Sequence, residues 1–145
     1  MAYALDSNIL LRAVEKNSPD RPLALSAIKK LLERDERVVL FPQIIVEFWV
    51  VATRPTEARG GLGFSPEEAE QLLRELPALE LCPESDRIFP EWERLVKVHR
   101  VRGTRAHDAR IVAAMNVHEV SHILTFHSGD FQGLGGVTPV EPLVL

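Results

Sequence analysis

Apolar residues along this chain follow two rhythms: short unbroken runs, and longer stretches in which they return every three or four positions. The first kind reads as buried strand and the second as amphipathic helix. AYAL (2–5) is a short run that breaks at the polar triplet DSN, and ILLRAVE (9–15) follows as a helix. A second helix has Pro22 in its first turn and carries Leu23, Ala27, Ile28, Leu31 and Leu32 at helical spacing. VVLF (38–41) is β-branched and short, hence a buried strand, and Pro42 opens a helix through IIVEFWVVATR (44–54). PTEARGGLGF (55–64), with three glycines in ten residues, reads as a mobile loop. Ser65 and Glu68 have capping-box spacing ahead of the helix PEEAEQLLREL (66–76), and LELC (79–82) is a third strand. Asp86 is the expected cap of RIFPEWERLVKVHR (87–100), in which Pro90 implies a late start or a kink. RGTRAHD (102–108) connects to a helix over ARIVAAMNVHEV (109–120). SHILTF (121–126) is a strand, and after a Gly-rich loop the chain closes on the extended piece VTPVE (137–141).

Strands alternating with helices predict an α/β fold with a mostly parallel sheet. The 145 residues fit a single domain, 1–145, and 46% hydrophobic residues supply a sizeable core. One cysteine, Cys82, excludes an internal disulfide framework and a Cys-based zinc cluster, and in ELCP it reads as a small apolar core residue. No apolar run approaches the length of a membrane span, and MAYALD lacks the marks of a secretory signal. A soluble, cytoplasmic protein is therefore the expectation. A net charge of −4 does not coat the molecule for nucleic acid, but binding depends on local patches rather than on the sum.

In open parallel sheets function gathers beyond the carboxyl ends of the strands. Asp6 follows AYAL, and Asp130 lies in the loop after SHILTF. Asp6 also suits the N-cap of the following helix, and Gly129-Asp130 is ordinary turn chemistry. If Asp6 serves chemistry, capping falls to Ser7 or Asn8. Glu47 shares a helical face with Ile44, Phe48 and Val51, where an unpartnered carboxylate costs several kcal/mol, on the order of its desolvation. It therefore calls for an Arg, a metal ion or a raised pKa. Asp108 stands three and four residues ahead of Ile111 and Val112, on the same inward face, and is itself a candidate cap.

Carboxylates brought together repel unless a cation is present, and all-oxygen ligands suit Mg²⁺ or Mn²⁺ rather than zinc. Such a centre activates water for in-line displacement at phosphorus. KVHRVRGTR (97–105) holds four basic residues and no acid, with Arg110 just beyond. Arg102, Arg105 and Arg110, with Arg12 on the first helix, are candidates for contact with a polyanion.

LDSNILLR with Asp6, QIIVEFW with Glu47, AHDARIVAAM with Asp108 and ILTFHSGDF with Asp130 occur in order over residues 5–131. This ordered set resembles the PIN-domain ribonucleases, most closely the VapC-type toxins of prokaryotic toxin–antitoxin pairs. The resemblance implies a three-layer α/β/α fold with a mostly parallel central sheet and Mg²⁺- or Mn²⁺-dependent hydrolysis of RNA. It implies that Asp6, Glu47 and Asp108 are core metal ligands and Asp130 a fourth acid. Ser7 and Asn8 would orient Asp6, and Thr125 would support the site. A small antitoxin and a homodimer are the implied protein partners. One position departs from the pattern: His127 stands where many relatives carry an acid or Asn, and it either touches substrate or faces solvent. A non-catalytic PIN-like module that binds RNA or a protein is the alternative. A haloacid-dehalogenase-type phosphatase would want an Asp where Asn8 stands, and no GxGxxG or P-loop is present.

Overall fold

The computed structural model describes residues 1–77 and 79–145. The chain runs β1 (Ala2–Leu5), α1 (Ser7–Val14), α2 (Arg21–Glu33), β2 (Arg37–Leu40), α3 (Pro42–Thr53), α4 (Pro66–Glu75), β3 (Glu80–Leu81), α5 (Ile88–Val98), α6 (Arg105–Val117), β4 (His122–Leu124) and β5 (Thr138–Val140). Single 3-10 turns follow β4 (Ser128–Phe131) and β5 (Pro142–Val144). The five strands form one sheet in the order β3-β2-β1-β4-β5, and every neighbouring pair is parallel.

Parallel strands need crossovers, and right-handed crossovers fix which face each helix covers. The chain steps outward from β1 to β2 to β3, which sends α1–α4 to one face; it then returns across the sheet to β4, which sends α5 and α6 to the other. Helix α1 accordingly packs on α2 and α3, and α5 packs on α6. The result is three layers, α/β/α. Both faces of β1 are covered, so all four of its residues are buried and none is charged. Because the chain leaves β1 in one direction and returns on its other side, the strand order reverses between β1 and β4. A crevice opens there, above the carboxyl ends of the two strands.

Several local expectations change. Helix α1 begins at Ser7 rather than at Ile9, and α6 begins at Arg105, so RAHD is the first helical turn and not a connector. Asp86 does not cap α5; the Ser85 hydroxyl accepts from the Arg87 N–H at 3.2 Å instead. Pro90 lies in the first turn of α5, where its missing N–H has no helical partner to lose. Segment 55–64, expected to be mobile, is tied to the end of α3. Leu62, Gly63 and Phe64 donate to the carbonyls of Val51, Arg54 and Ala52 at 3.1, 2.8 and 2.9 Å. A Cβ on Gly61 would stand 2.1 Å from the Pro55 carbonyl, so only glycine fits this approach. Ser65 and Glu68 form both hydrogen bonds of a capping box. Cys82 is buried, as its apolar setting suggests. Among the described residues no helix is long and apolar enough to cross a membrane.

Candidate active site

Strand β1 ends at Leu5, but the sheet pairing continues one residue further, because the Asp6 N–H donates to the Leu124 carbonyl at 3.0 Å. That bond fixes Asp6 at the seam between β1 and β4, where the chain turns from extended backbone into α1. Asp6 is the N-cap of α1: its Oδ1 accepts the Ser7 N–H at 2.7 Å. Capping therefore does not pass to Ser7 or Asn8, as expected above; one carboxylate caps the helix and also points its other oxygen into the crevice.

That second oxygen, Oδ2, accepts from the Thr125 hydroxyl at 2.8 Å and from the Asn8 amide at 3.2 Å. Asn8 reaches across to β4, donating to Thr125 Oγ1 at 3.2 Å and accepting the Phe126 N–H at 3.0 Å. Thr125 Oγ1 also accepts the His127 N–H at 3.0 Å. The hydroxyl thus donates once and accepts twice, which exhausts its capacity. Asp6 and Thr125 are the two buried polar side chains of the core, and each is fully partnered. Burial pushes the Asp6 carboxyl above the ordinary range, while the Thr125 and Ser7 hydrogen bonds pull it back.

Three further acids face this point from separate elements. Glu47, half-buried on α3, is raised first by burial and then by the negative charge of Asp6, while a hydrogen bond from Gln43 opposes the rise. Asp108, in the first turn of α6, is pushed up to about 6 by burial, then by Asp130, Asp6 and Glu47, against a lowering by Arg105. Asp130 sits on the 3-10 turn after β4 and is more than half exposed. Asp108 feels the charge of all three other acids, Glu47 that of Asp6, and Asp6 that of Asp130, so the carboxylates are electrostatically linked chiefly through Asp108 and Asp6. Among the described residues no three His, Cys, Asp or Glu side chains are drawn within chelating distance of one another. The donor set is that of a hard dication, since every acid contributes only carboxylate oxygen.

The arginines divide. Arg12 pairs with Glu15 at 2.8 Å, and Arg105 donates to the Gln132 carbonyl at 2.7 Å. Arg110 spans Glu84 at 2.9 Å and Gln43 Oε1 at 3.2 Å, which makes it a bracket within the protein rather than a free cation. Arg102 is exposed and makes no ion pair among the described residues. Gln43 is the residue that sequence reasoning missed. Its amide donates to Glu47 Oε1 and to the His107 carbonyl, both at 2.9 Å, so it joins α3 to the first turn of α6. The i, i+4 spacing of Gln43 and Glu47 was the available signal. A surface pocket of about 750 Å³ lies elsewhere, between the end of α1, segment 55–64 and α4, and none of the four acids lines it.

Known proteins point the same way as this geometry. Ribonuclease VapC48 of Mycobacterium tuberculosis is 25% identical over 145 residues, with 98% of each chain covered. Among solved structures, VapBC2 from Rickettsia felis bound to a promoter DNA fragment aligns with a TM-score of 0.71 at 14% identity, covering 97% of this chain and 98% of that one. FitAcB from Neisseria gonorrhoeae aligns with a TM-score of 0.69 at 18% identity, covering 99% of each. VapC20 of Mycobacterium tuberculosis, described as a Sarcin-Ricin loop cleaving toxin, aligns with a TM-score of 0.62 at 19% identity, covering 93% and 96%. These likenesses to solved structures speak for the fold. A PIN domain family model matches residues 3–132, which include all four acids, and the chain belongs to the PIN domain family.

Proposed function

We propose that this protein is a metal-dependent endoribonuclease and the toxin of a toxin–antitoxin pair, in the manner of the VapC ribonucleases it is similar to. The observation that carries the reading is that the charges of Asp6, Glu47 and Asp130, from three other elements, all bear on Asp108 near the reversal point of a parallel sheet. A non-catalytic binding module has no evident use for Asp108, whose carboxyl is pushed up to about 6 by burial first and then by the charges of Asp130, Asp6 and Glu47. Asp6, Glu47, Asp108 and Asp130 would hold Mg²⁺ or Mn²⁺. The ion would supply a polarised water and positive charge opposite the developing charge at phosphorus.

The protein's own groups have separable tasks. Thr125 and Asn8 lock the Asp6 carboxylate so that it cannot rotate away from the crevice. Gln43 aims Glu47, and Arg110 holds Gln43. Arg105, whose charge reaches Asp108, and the exposed Arg102 just ahead of α6 would meet RNA phosphates. A structural neighbour from Klebsiella pneumoniae described as a toxin–antitoxin complex supports a small antitoxin as partner, and a homodimer belongs to the same reading.

The test is cleavage of RNA by the purified chain with Mg²⁺ or Mn²⁺, compared with Asp6→Ala and Asp108→Asn. The reading expects cleavage that chelator abolishes and that falls by at least 10³-fold, an order-of-magnitude expectation, in both variants while their far-UV spectra stay native. Variants that cut RNA as well as the parent would overturn it.

A further inference from the structure

Phenylalanine is a core residue in this chain with one exception. Phe41, Phe48 and Phe131 are buried and Phe64 and Phe126 pack against the core, but Phe89, in the first turn of α5, is 61% exposed. Its ring stacks on that of Trp92, with centroids 5.8 Å apart and planes 28° from parallel. Trp92 is itself fixed, because its indole N–H donates to the Ala106 carbonyl at 2.9 Å. That bond crosses from α5 to the first turn of α6, two residues ahead of Asp108. The exposed ring is therefore braced, through Trp92, on the helix that carries an acid of the candidate site.

The charges that follow along the chain are positive. Lys97, Arg100 and Arg102, at the end of α5 and in the loop after it, are exposed and make no ion pair among the described residues. Arg105, one turn ahead of Asp108, is exposed as well. Glu91 beside the aromatic pair is neutralised by Arg94, which donates to its two oxygens at 2.7 and 2.9 Å. A fixed aromatic face that leads into a run of free cations matches a ligand made of flat rings and phosphates. Single-stranded RNA has that composition, and proteins that bind it combine aromatic stacking with a basic track.

We propose that the Phe89–Trp92 pair is a stacking platform for a base of the RNA substrate, with Arg100 and Arg102 meeting the phosphates of the same strand. The inference rests on the reading of the protein as a ribonuclease. Trp92 holds the Phe89 ring in place, so little side-chain freedom is lost when a base settles on it. A base stacked away from the reacting phosphate is bound equally in the ground state and the transition state. The platform therefore acts on KM and leaves kcat alone. Every base has a π face, so the contact tolerates sequence.

The probes are a single-stranded RNA of about ten nucleotides and an abasic strand of the same length, which keeps the phosphates and lacks the bases. Fluorescence anisotropy with the full-length chain, in chelator to prevent cleavage, reads both affinities. Phe89→Ala should weaken RNA binding about tenfold and leave the abasic strand bound as tightly as before. Phe89→Leu, which keeps apolar bulk without the π face, should behave like Phe89→Ala, and Phe89→Trp should bind RNA as the parent does. The slope of log affinity against log salt should be the same in all of them, because no phosphate contact is lost. With Mg²⁺ or Mn²⁺ present, Phe89→Ala should raise KM for RNA cleavage by the same factor at unchanged kcat. Melting curves should coincide, because the ring is exposed. Equal losses on the two strands, or parent-like RNA binding by Phe89→Ala or Phe89→Leu, would overturn the platform. So would sedimentation showing that Phe89→Ala dissociates a dimer, which would assign the ring to a protein interface. In each of those cases cleavage of RNA by the parent leaves the ribonuclease reading standing. A parent that neither binds nor cuts RNA would overturn both.

Discussion

Thr125 donates to Asp6 at 2.8 Å across 119 residues of sequence, and the bond is buried. It joins the ends of β1 and β4, the two strands between which the sheet reverses, so the fold and the site are secured by one contact. Thr125→Val keeps the shape and removes the hydroxyl. It leaves Asp6 Oδ2 with Asn8 alone and strips an acceptor from both Asn8 and His127. A charge-assisted hydrogen bond lost from a buried carboxylate costs about 2 kcal/mol. Urea denaturation should therefore show a lower midpoint with an unchanged slope, and RNA cleavage should fall as Asp6 loses its orientation. A midpoint equal to the parent's would mean that the hydroxyl contributes only geometry.

Asp108 predicts an opposition between stability and activity. Its carboxyl holds a proton up to about pH 6 in the folded protein, against an ordinary value of 3.8. The folded state therefore binds more protons than the unfolded chain in that window, and stability falls as pH rises through it. Asp6 and Glu47 are raised as well and act in the same direction. The Asp108→Asn variant lacks its share of this slope, so in chelator at pH 7 it should be more stable than the parent by about 1 kcal/mol after allowing for solvent screening. Thermal melts at pH 4 and pH 7 check the sign: the two proteins should differ at pH 7 and converge at pH 4. A variant less stable than the parent at pH 7 would refute the electrostatic account.

The arginines separate by the partners they already have. Arg102 is exposed and free of ion pairs among the described residues, whereas Arg110 is committed to Glu84 and Gln43. Arg102→Ala should weaken RNA binding and reduce the slope of log affinity against log salt by about 0.7 for a single-stranded substrate. Arg110→Ala should leave that slope unchanged and lower the cleavage rate instead, because it releases Gln43. Fluorescence anisotropy over a salt series distinguishes them, and equal slopes for both variants would place the two residues in the same role.

What the sequence disclosed follows from which interactions are local. Strand β1, the Pro42 start of α3 and the capping box at Ser65 are local matters of periodicity, φ restriction and i to i+3 bonding, and they read directly. Helix ends proved less legible. Asp35, Arg100 and Glu119 take left-handed conformations of 55°, 51° and 57° after α2, α5 and α6, with no glycine to announce the stop. Each is followed by a residue whose N–H returns to the helix, as Val120 does to Met115 at 2.8 Å, so the stop is set by burying Val120 rather than by backbone freedom. At the site, the alternatives of cap and catalyst for Asp6 excluded each other only on paper. A carboxylate has two oxygens, and the separate destinations of Oδ1 and Oδ2 depend on Thr125, which no local pattern brings near. Arg110 reads as substrate-facing by its place beside Asp108, but its partners Glu84 and Gln43 arrive from β3's loop and α3.

Gln43 offers a last prediction, about geometry alone. Its amide holds Glu47 Oε1 and the His107 carbonyl at 2.9 Å each, and its oxygen accepts from Arg110 at 3.2 Å. Among the described residues, the hydrogen bonds that link the Glu47 carboxylate to α6 pass through this one side chain. Gln43→Leu fills the same volume and lets Glu47 swing into solvent. Groups that orient a metal-binding side chain from behind typically contribute ten- to a hundredfold in metal affinity or activity. Cleavage at limiting Mg²⁺ should therefore fall by about that factor and recover in part as metal is raised, with little change in the melting temperature because Gln43 is partly exposed. Full activity at limiting metal would show that Glu47 is held by something other than Gln43, or is not needed at all; the Glu47→Gln variant measured beside it tells those two outcomes apart.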